Sequence, residues 1–411
     1  MKEDNEKSEG IGFISSEFER IVKRLAFPRF SGSDSFYKGT EIIKEEAKQL
    51  GFQPKEEKFR TSDFFMVQIN RLPYFFLGIY VCLLSVLSAF NIAPWIKIIM
   101  SCILLLMAFT IEGIIQALKY PAMYSKFADL HESENIILDP KFENSGDKTN
   151  LFVLAHTDTK SEAPSPHNLF TIIYISTFVG SLILGVHILV FSIIQAFSSS
   201  ATGHSPLVFF YGLLFGIIDM LRILTKYFPG ESPGANDDAI GVAISLHLQK
   251  YFSHPDQELE NMNLVCVLTG SEELGEAGAY NFVKMHKNNL DKKNTQFLVL
   301  DGITGNEIYY FTSMGLSKKP FSPIFLKSVA EMRSKKHPAT EKIDFIKMWM
   351  PPPVNTDHSP VMELGYDVFV FASPEDVSHS PKDTPENINY QGVAEFYNFL
   401  KALLIHIDKR L

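Results

Sequence analysis

Apolar positions along this chain fall into two regimes. Four runs are apolar nearly all round. Residues 73–92 carry no charge, and 95–118 carry only Lys97 at one end and Glu112 near the other. Residues 168–197 hold His187 as their one group titrating near neutral pH, and 206–224 carry Asp219 and Arg222 near the end. A bilayer core needs about 20 apolar residues in a helix, and soluble helices rarely stay apolar on every face for so long. The runs therefore predict two membrane hairpins, 73–118 and 168–226, with short turns between their helices. Elsewhere strand and helix patterns alternate. Residues 34–50, 238–252 and 391–407 have helical periodicity. Residues 135–138, 151–155, 264–268, 297–300 and 368–371 are short apolar runs of buried-strand type. Such alternation predicts an α/β fold, a mostly parallel central sheet flanked by helices. The expected organisation is one α/β domain in three pieces, 1–72, 119–167 and 227–411, interrupted by the hairpins.

Composition sharpens this picture. In 411 residues, 46% are hydrophobic and 21% charged, below the usual quarter. The net charge of -9 argues against a nucleic-acid partner. Three cysteines without a CxxC pair leave no disulfide framework, and the polar N-terminal stretch has no signal-peptide pattern. Arg71, Lys119, Lys126, Lys160, Arg222 and Lys226 flank the hairpins on the side of both termini, against Lys97 near the other. The expectation is a multi-pass integral membrane protein with its larger part in the cytoplasm. Gly212 and Gly216 form GxxxG, and Ser181 and Gly185 a second small-xxx-small pair. This spacing permits close helix approach, although glycine is frequent enough in membrane helices to produce it by chance.

Candidate chemistry follows the strand-like runs, where ligand sites of open α/β sheets lie. LFVLAHTDTK offers His156 and, two residues on along an extended chain, Asp158. A histidine ligand commonly gives its second N–H to a carboxylate, and Asp158 is placed to accept it. ESPGANDDAIGVA places Asp237 and Asp238 at a helix start, where they could equally act as caps. VLTGSEELGEAGAY offers Glu272 and Glu273, LVLDGITG offers Asp301, and DVSHSPKDTPENI offers His379. Nitrogen and oxygen donors without thiolates suit zinc, with manganese or cobalt as alternatives.

The series HTD, GANDDAIGVA, EELGEAGAY, LDG and DHSPVMELGYD with HSPKDTPENI resembles metallopeptidase family 28, which holds di-zinc aminopeptidases, glutamate carboxypeptidases and glutaminyl cyclases. FPRFSGSDSFYKGTEIIKEEAKQLGF is similar to that family's opening helix. The resemblance implies two zinc ions bridged by Asp237, one also held by Glu273 and His379, the other by His156 and Asp301. It implies Glu272 as general base and Asp158 as the residue orienting His156. Asp238 and His358 match motif positions but not ligands, and become candidates for the surrounding shell. The chain departs from the pattern by carrying the second hairpin between His156 and Asp237.

The function so implied is a membrane-embedded metallo-exopeptidase, an aminopeptidase acting on short or hydrophobic peptides. Two alternatives stand beside it. One is a glutaminyl cyclase or an amidase for N-acylated, lipid-like substrates, although cyclases of the family typically use one metal. The other is a non-catalytic receptor or scaffold. The expected partners are a peptide or amide substrate and the lipid bilayer. The second hairpin begins and ends within about a dozen residues of metal ligands, a tether of at most about 40 Å. The catalytic mouth is accordingly expected near the membrane surface.

Overall fold

The computed structural model describes residues 2–64, 71–90, 92–117, 126, 128–138, 148–162, 167–198, 206–221, 227–228, 230–315, 317–351, 354–374 and 377–411. Lys119, Arg222, Lys226 and the second hairpin turn at 199–205 lie outside these residues. In chain order the main elements begin with helices α1 (Lys2–Leu25) and α2 (Asp34–Gln49), strand β1 (Lys55–Thr61), helices α3 (Leu72–Ala89) and α4 (Pro94–Ala117), and strands β2 (His131–Ile137) and β3 (Thr149–His156). Helices α5 (His167–Phe197), α6 (Pro206–Leu221) and α7 (Ile240–Phe252) follow, then β4 (Met262–Thr269), α8 (Ala277–His286), β5 (Thr295–Leu300), β6 (Glu307–Met314) and β7 (Lys319–Pro320). The chain closes with α9 (Pro323–Ser334), β8 (Asp344–Met350), α10 (His358–Glu363), β9 (Asp367–Ala372) and α11 (Tyr390–Asp408).

These elements form two compact units. The first comprises Met1–Thr61, His131–Glu162 and Phe228–Leu411, and the second Ser62–Leu130 and Ala163–Tyr227. The first unit is a nine-stranded sheet in the order β1-β2-β4-β3-β5-β9-β6-β8, with β7 beside β6. The four central strands β4, β3, β5 and β9 are parallel. Antiparallel pairings join β1 and β2 on one side and β6 on the other, so the sheet is α/β and mixed. All eight residues of β3 are buried, which explains its unbroken apolar run: both faces are covered. Cover comes in part from α1, whose Phe18, Ile21, Val22 and Leu25 are fully buried at helical spacing. Each such side chain contributes roughly 1.5–3 kcal/mol on leaving water. The Ser33 side chain caps α2 by accepting the Phe36 N–H, and Gly51, at φ +95°, ends it in a conformation that favours glycine.

The second unit consists of α3, α4, α5 and α6. Three stretches, Leu72–Ala89, Pro94–Ile111 and Phe178–Phe197, are long and apolar enough to cross a membrane. Of the fourth expected span, the described residues include the 16 of α6, about 24 Å of helix against a hydrocarbon core of about 30 Å. Outward-facing side chains on all four helices are large and apolar, among them Phe76, Leu106, Phe109, Ile183 and Phe210. The GxxxG pair packs chiefly against the first hairpin, with Gly212 also close to Leu184 of its own. A Cβ on Gly212 would meet Ser85 of α3, and one on Gly216 would meet Cys82 and the Gly78 carbonyl. A Cβ on Gly185 would meet Leu104 and Leu105 of α4 at 3.2 Å. Ser181 instead donates to Asp219 of α6 at 3.3 Å, inside the bundle.

Candidate metal centre

The centre assembles where parallel strands end. His156 is the last residue of β3, opposite Thr269 at the end of β4. Beyond β4 the chain passes through Ser271, at φ +59°, into the short turn Glu272–Leu274, while Asp301 directly follows β5. His379, at φ +58°, lies on the segment after β9. Left-handed conformations in residues with side chains cost roughly 1–3 kcal/mol and tend to gather at functional sites. The expected helix from 238 begins instead at Ile240, after a π-turn over Ala235–Ala239 in which Asp237 and Asp238 have non-helical angles. The Asp237–Asp238 peptide is cis.

Asp237 presents one oxygen to each imidazole. Its Oδ1 lies 2.8 Å from His156 Nε2, and its Oδ2 lies 3.0 Å from His379 Nε2. Glu273 Oε1 is 3.2 Å from His379 Nε2, and Asp301 Oδ1 is 3.9 Å from His156 Nε2. The donor atoms of His156, Asp237 and Asp301 lie within 4.8 Å of one another, as do those of Asp237, Glu273 and His379. Among these ligands, Asp301 and His379 are 20% and 22% exposed, so they mark the open side.

Asp158 does not use its carboxylate on His156 as expected. His156 Nδ1 lies 3.0 Å from the Asp158 main-chain carbonyl and 3.8 Å from its carboxylate. A carbonyl only accepts, so Nδ1 carries the hydrogen, and Nε2 is left free to bind a cation in the neutral ring. The Asp158 carboxylate instead accepts the N–H groups of Glu272 at 2.9 Å and Glu273 at 3.2 Å. One residue thereby fixes a ligand ring from its main chain and the Glu272–Glu273 turn from its side chain. Asp238 ties two strand ends to the start of α7, accepting the N–H groups of His156, Gly302 and Gly241. Any Cβ on Gly241 would collide with that carboxylate, which accounts for the glycine in AIGVA. His358 is fully buried against Phe321, apart from the ligand groups.

The electrostatics fit a divalent cation. Burial would lower the imidazole values, yet neighbouring carboxylates hold both His156 and His379 well above the ordinary range. Burial, with carboxylate repulsion, lifts Asp301 to about 6 and Asp158 to about 7, and raises Asp238 and Glu272 strongly. Burial also acts against Asp237 and Glu273, but the imidazoles keep Asp237 well below the usual carboxylate value. Glu273 is lowered by His379 and Lys160. Carboxylates outnumber the basic side chains gathered here, and burial favours protons on several of them. Nitrogen and oxygen donors crowded in this way are what zinc or a similar ion binds in exchange for protons.

Three supporting residues went unrecognised in the sequence. Arg29 is buried beneath the site. Its guanidinium donates to the carbonyls of Leu25, Phe27, Thr157, Pro233 and Gly234, joining the His156 and Asp237 loops. Burial lowers it to about 10 against the pull of Asp383 and Asp158. Asp383 accepts the N–H groups of Asn236 at 2.6 Å and Asp237 at 3.3 Å. Lys160 Nζ lies 2.8 Å from Glu273 Oε2. Arg29 and Asp383 stand inside motifs already singled out, which is the only signal they gave.

Residues 218–404 match the model of peptidase family M28. That span contains Asp237, Glu272, Glu273, Asp301 and His379, and the fold adds His156 and Asp158 from outside it. No curated protein matches the chain. Similar solved structures include a leucine aminopeptidase precursor from Bacteroides thetaiotaomicron VPI-5482, at 12% identity and TM-score 0.52, covering 95% of this chain and 96% of that one. A zinc aminopeptidase from Bacillus subtilis is similar at 13% identity and TM-score 0.51, with 95% and 94% covered. A glutaminyl cyclase from Bacteroides thetaiotaomicron is similar at 11% identity and TM-score 0.52, with 95% and 97% covered. At these identities the likeness is one of fold, that of zinc aminopeptidases and glutaminyl cyclases, and the peptidase family M28 match adds to it over residues 218–404.

Proposed function

We propose that the chain is a membrane-embedded two-zinc exopeptidase of aminopeptidase type. The observation that carries this reading is the Asp237 carboxylate, held between two histidines at 2.8 and 3.0 Å with Asp301 and Glu273 completing a three-donor group on either side. His156, Asp237 and Asp301 would hold one ion, and Asp237, Glu273 and His379 the other. When bound, such a pair makes a water acidic enough to ionise near neutral pH and polarises the scissile carbonyl. Glu272 accepts the water's proton on its carboxylate and delivers it to the leaving amine. The Glu272 main-chain N–H on Asp158 sets where that carboxylate starts. Arg29 and Asp383 hold the loops in register. Membrane embedding is supported by the three span-length helices and by their apolar outward faces. A chain so tethered suits peptides or amides that partition into the bilayer interface.

A glutaminyl cyclase or N-acyl amidase remains the second reading, supported by the cyclase of the same fold. A panel of aminoacyl amides, N-terminal glutamine peptides and N-acyl amides, assayed in liposomes, separates these chemistries. On the substrate so found, Glu272→Gln should retain zinc and lose turnover by about 10²-fold or more. Glu273→Gln should lose zinc instead. Near-normal turnover in Glu272→Gln would remove the base assignment.

A further inference from the structure

The two donor groups are alike in composition and differ in their surroundings. Asp301, on the His156 side, has no lysine or arginine partner among the described residues, and the basic group beside it is the His156 ring at 3.9 Å. Glu273, on the His379 side, is engaged at both oxygens. Its Oε1 accepts the Lys160 main-chain N–H at 3.2 Å and lies 3.2 Å from His379 Nε2, while its Oε2 faces Lys160 Nζ at 2.8 Å. The pair is well shielded, with Glu273 at 2% and Lys160 at 14% exposure. The loop that carries the lysine is also fixed. The Arg29 N–H donates to Thr159 Oγ1 at 2.8 Å, and the Thr159 N–H donates to the Arg29 carbonyl at 3.2 Å.

A fixed ammonium on a buried ligand acts twice against a divalent cation. It repels the ion through a medium of low dielectric, and it withdraws charge from the carboxylate that would bind it. We infer that Lys160 makes the two halves of the centre unequal, giving the Asp237–Glu273–His379 half a weaker grip on a divalent ion than the His156–Asp237–Asp301 half. This rests on the two-metal reading above. The protein accordingly fills in two steps, and at limiting zinc it carries one ion. The second position then responds to metal supply, while the first stays occupied.

Zinc binding to the full-length, metal-stripped protein in detergent tests this directly, with calorimetric isotherms and elemental analysis after dialysis as readouts. Wild type should bind two zinc ions with affinities differing by about tenfold or more, and Lys160→Met should tighten the weaker step by about tenfold or more. Lys160→Arg, which keeps the charge, should preserve two separated steps. Circular dichroism of each variant monitors folding, and Lys160→Gln serves if the methionine variant does not fold. A single-step wild-type isotherm for two ions overturns the inference and leaves the metal reading intact, and so does an unchanged weak step in Lys160→Met. Failure of every form to bind zinc overturns both.

Discussion

His247 sits on α7 with its ring edge against Phe18 at 5.4 Å, and among the described residues its Nε2 has no hydrogen-bond partner. Burial lowers its pKa from 6.5 to about 4. The neutral ring is thus the form that packs, and the unfolded chain takes up its proton first. Its contribution to stability is present above about pH 6.5 and is lost as pH falls towards 4, by at most about 3 kcal/mol. Chemical denaturation between pH 4 and 7 should show His247→Leu gaining on wild type as pH falls, and parallel curves would contradict this. At the same scale, the seven site residues named from the sequence lie together because six of them close or follow strands that end on one side of the sheet, while Asp237 sits in the turn that opens α7. The roles of Arg29, Lys160 and Asp383 at the site escaped notice for a different reason. Each has a partner more than 100 residues away: the Thr157 carbonyl, the Glu273 carboxylate and the Asn236 N–H. Only the fold creates those neighbours.

Among the elements, legibility followed burial. Strands β2 to β5 and β9 were readable as apolar runs, whereas β1 is the charged sequence KEEKFRT at one edge of the sheet and β8 lies at the other. The charges on β1 discourage pairing with further chains and hide it from an apolar search, whereas β8, DFIKMWM, is broken only by Lys347. Helix α1 shows Phe18, Ile21, Val22 and Leu25 at helical spacing, but its polar N-terminal end masked the pattern. Helices α3 and α6 are the closest pair in the second unit, because Gly78, Gly212 and Gly216 leave no room for a Cβ between them. Gly216→Leu would have to displace Cys82 and the Gly78 carbonyl, with an expected cost of about 1–3 kcal/mol or more. Thermal unfolding in detergent should register a lower midpoint than wild type, while Phe210→Leu, on the outward face, should leave it unchanged.

At the scale of the whole molecule, two insertions of paired helices interrupt the first unit, to which both termini belong. If each pair crosses the membrane and returns, as proposed, six of the seven basic residues flanking the hairpins fall on the side of the termini, which orients that side towards the cytoplasm. Single engineered thiols at Asp34 and Lys409 should therefore stay unlabelled by an impermeant reagent in intact cells and react after lysis. Labelling before lysis would reverse the proposed orientation. The three-piece construction of the sheet has a further consequence in time. Strand β1 waits for β2 until the first hairpin has been made, and β3 waits for β4 until the second has. Asp301 comes later, and His379 later still. A ribosome adding about 5–20 residues per second thus makes both helical hairpins well before a complete centre can exist. Competence trails anchorage, and a nascent chain stalled anywhere short of His379 carries no working blade.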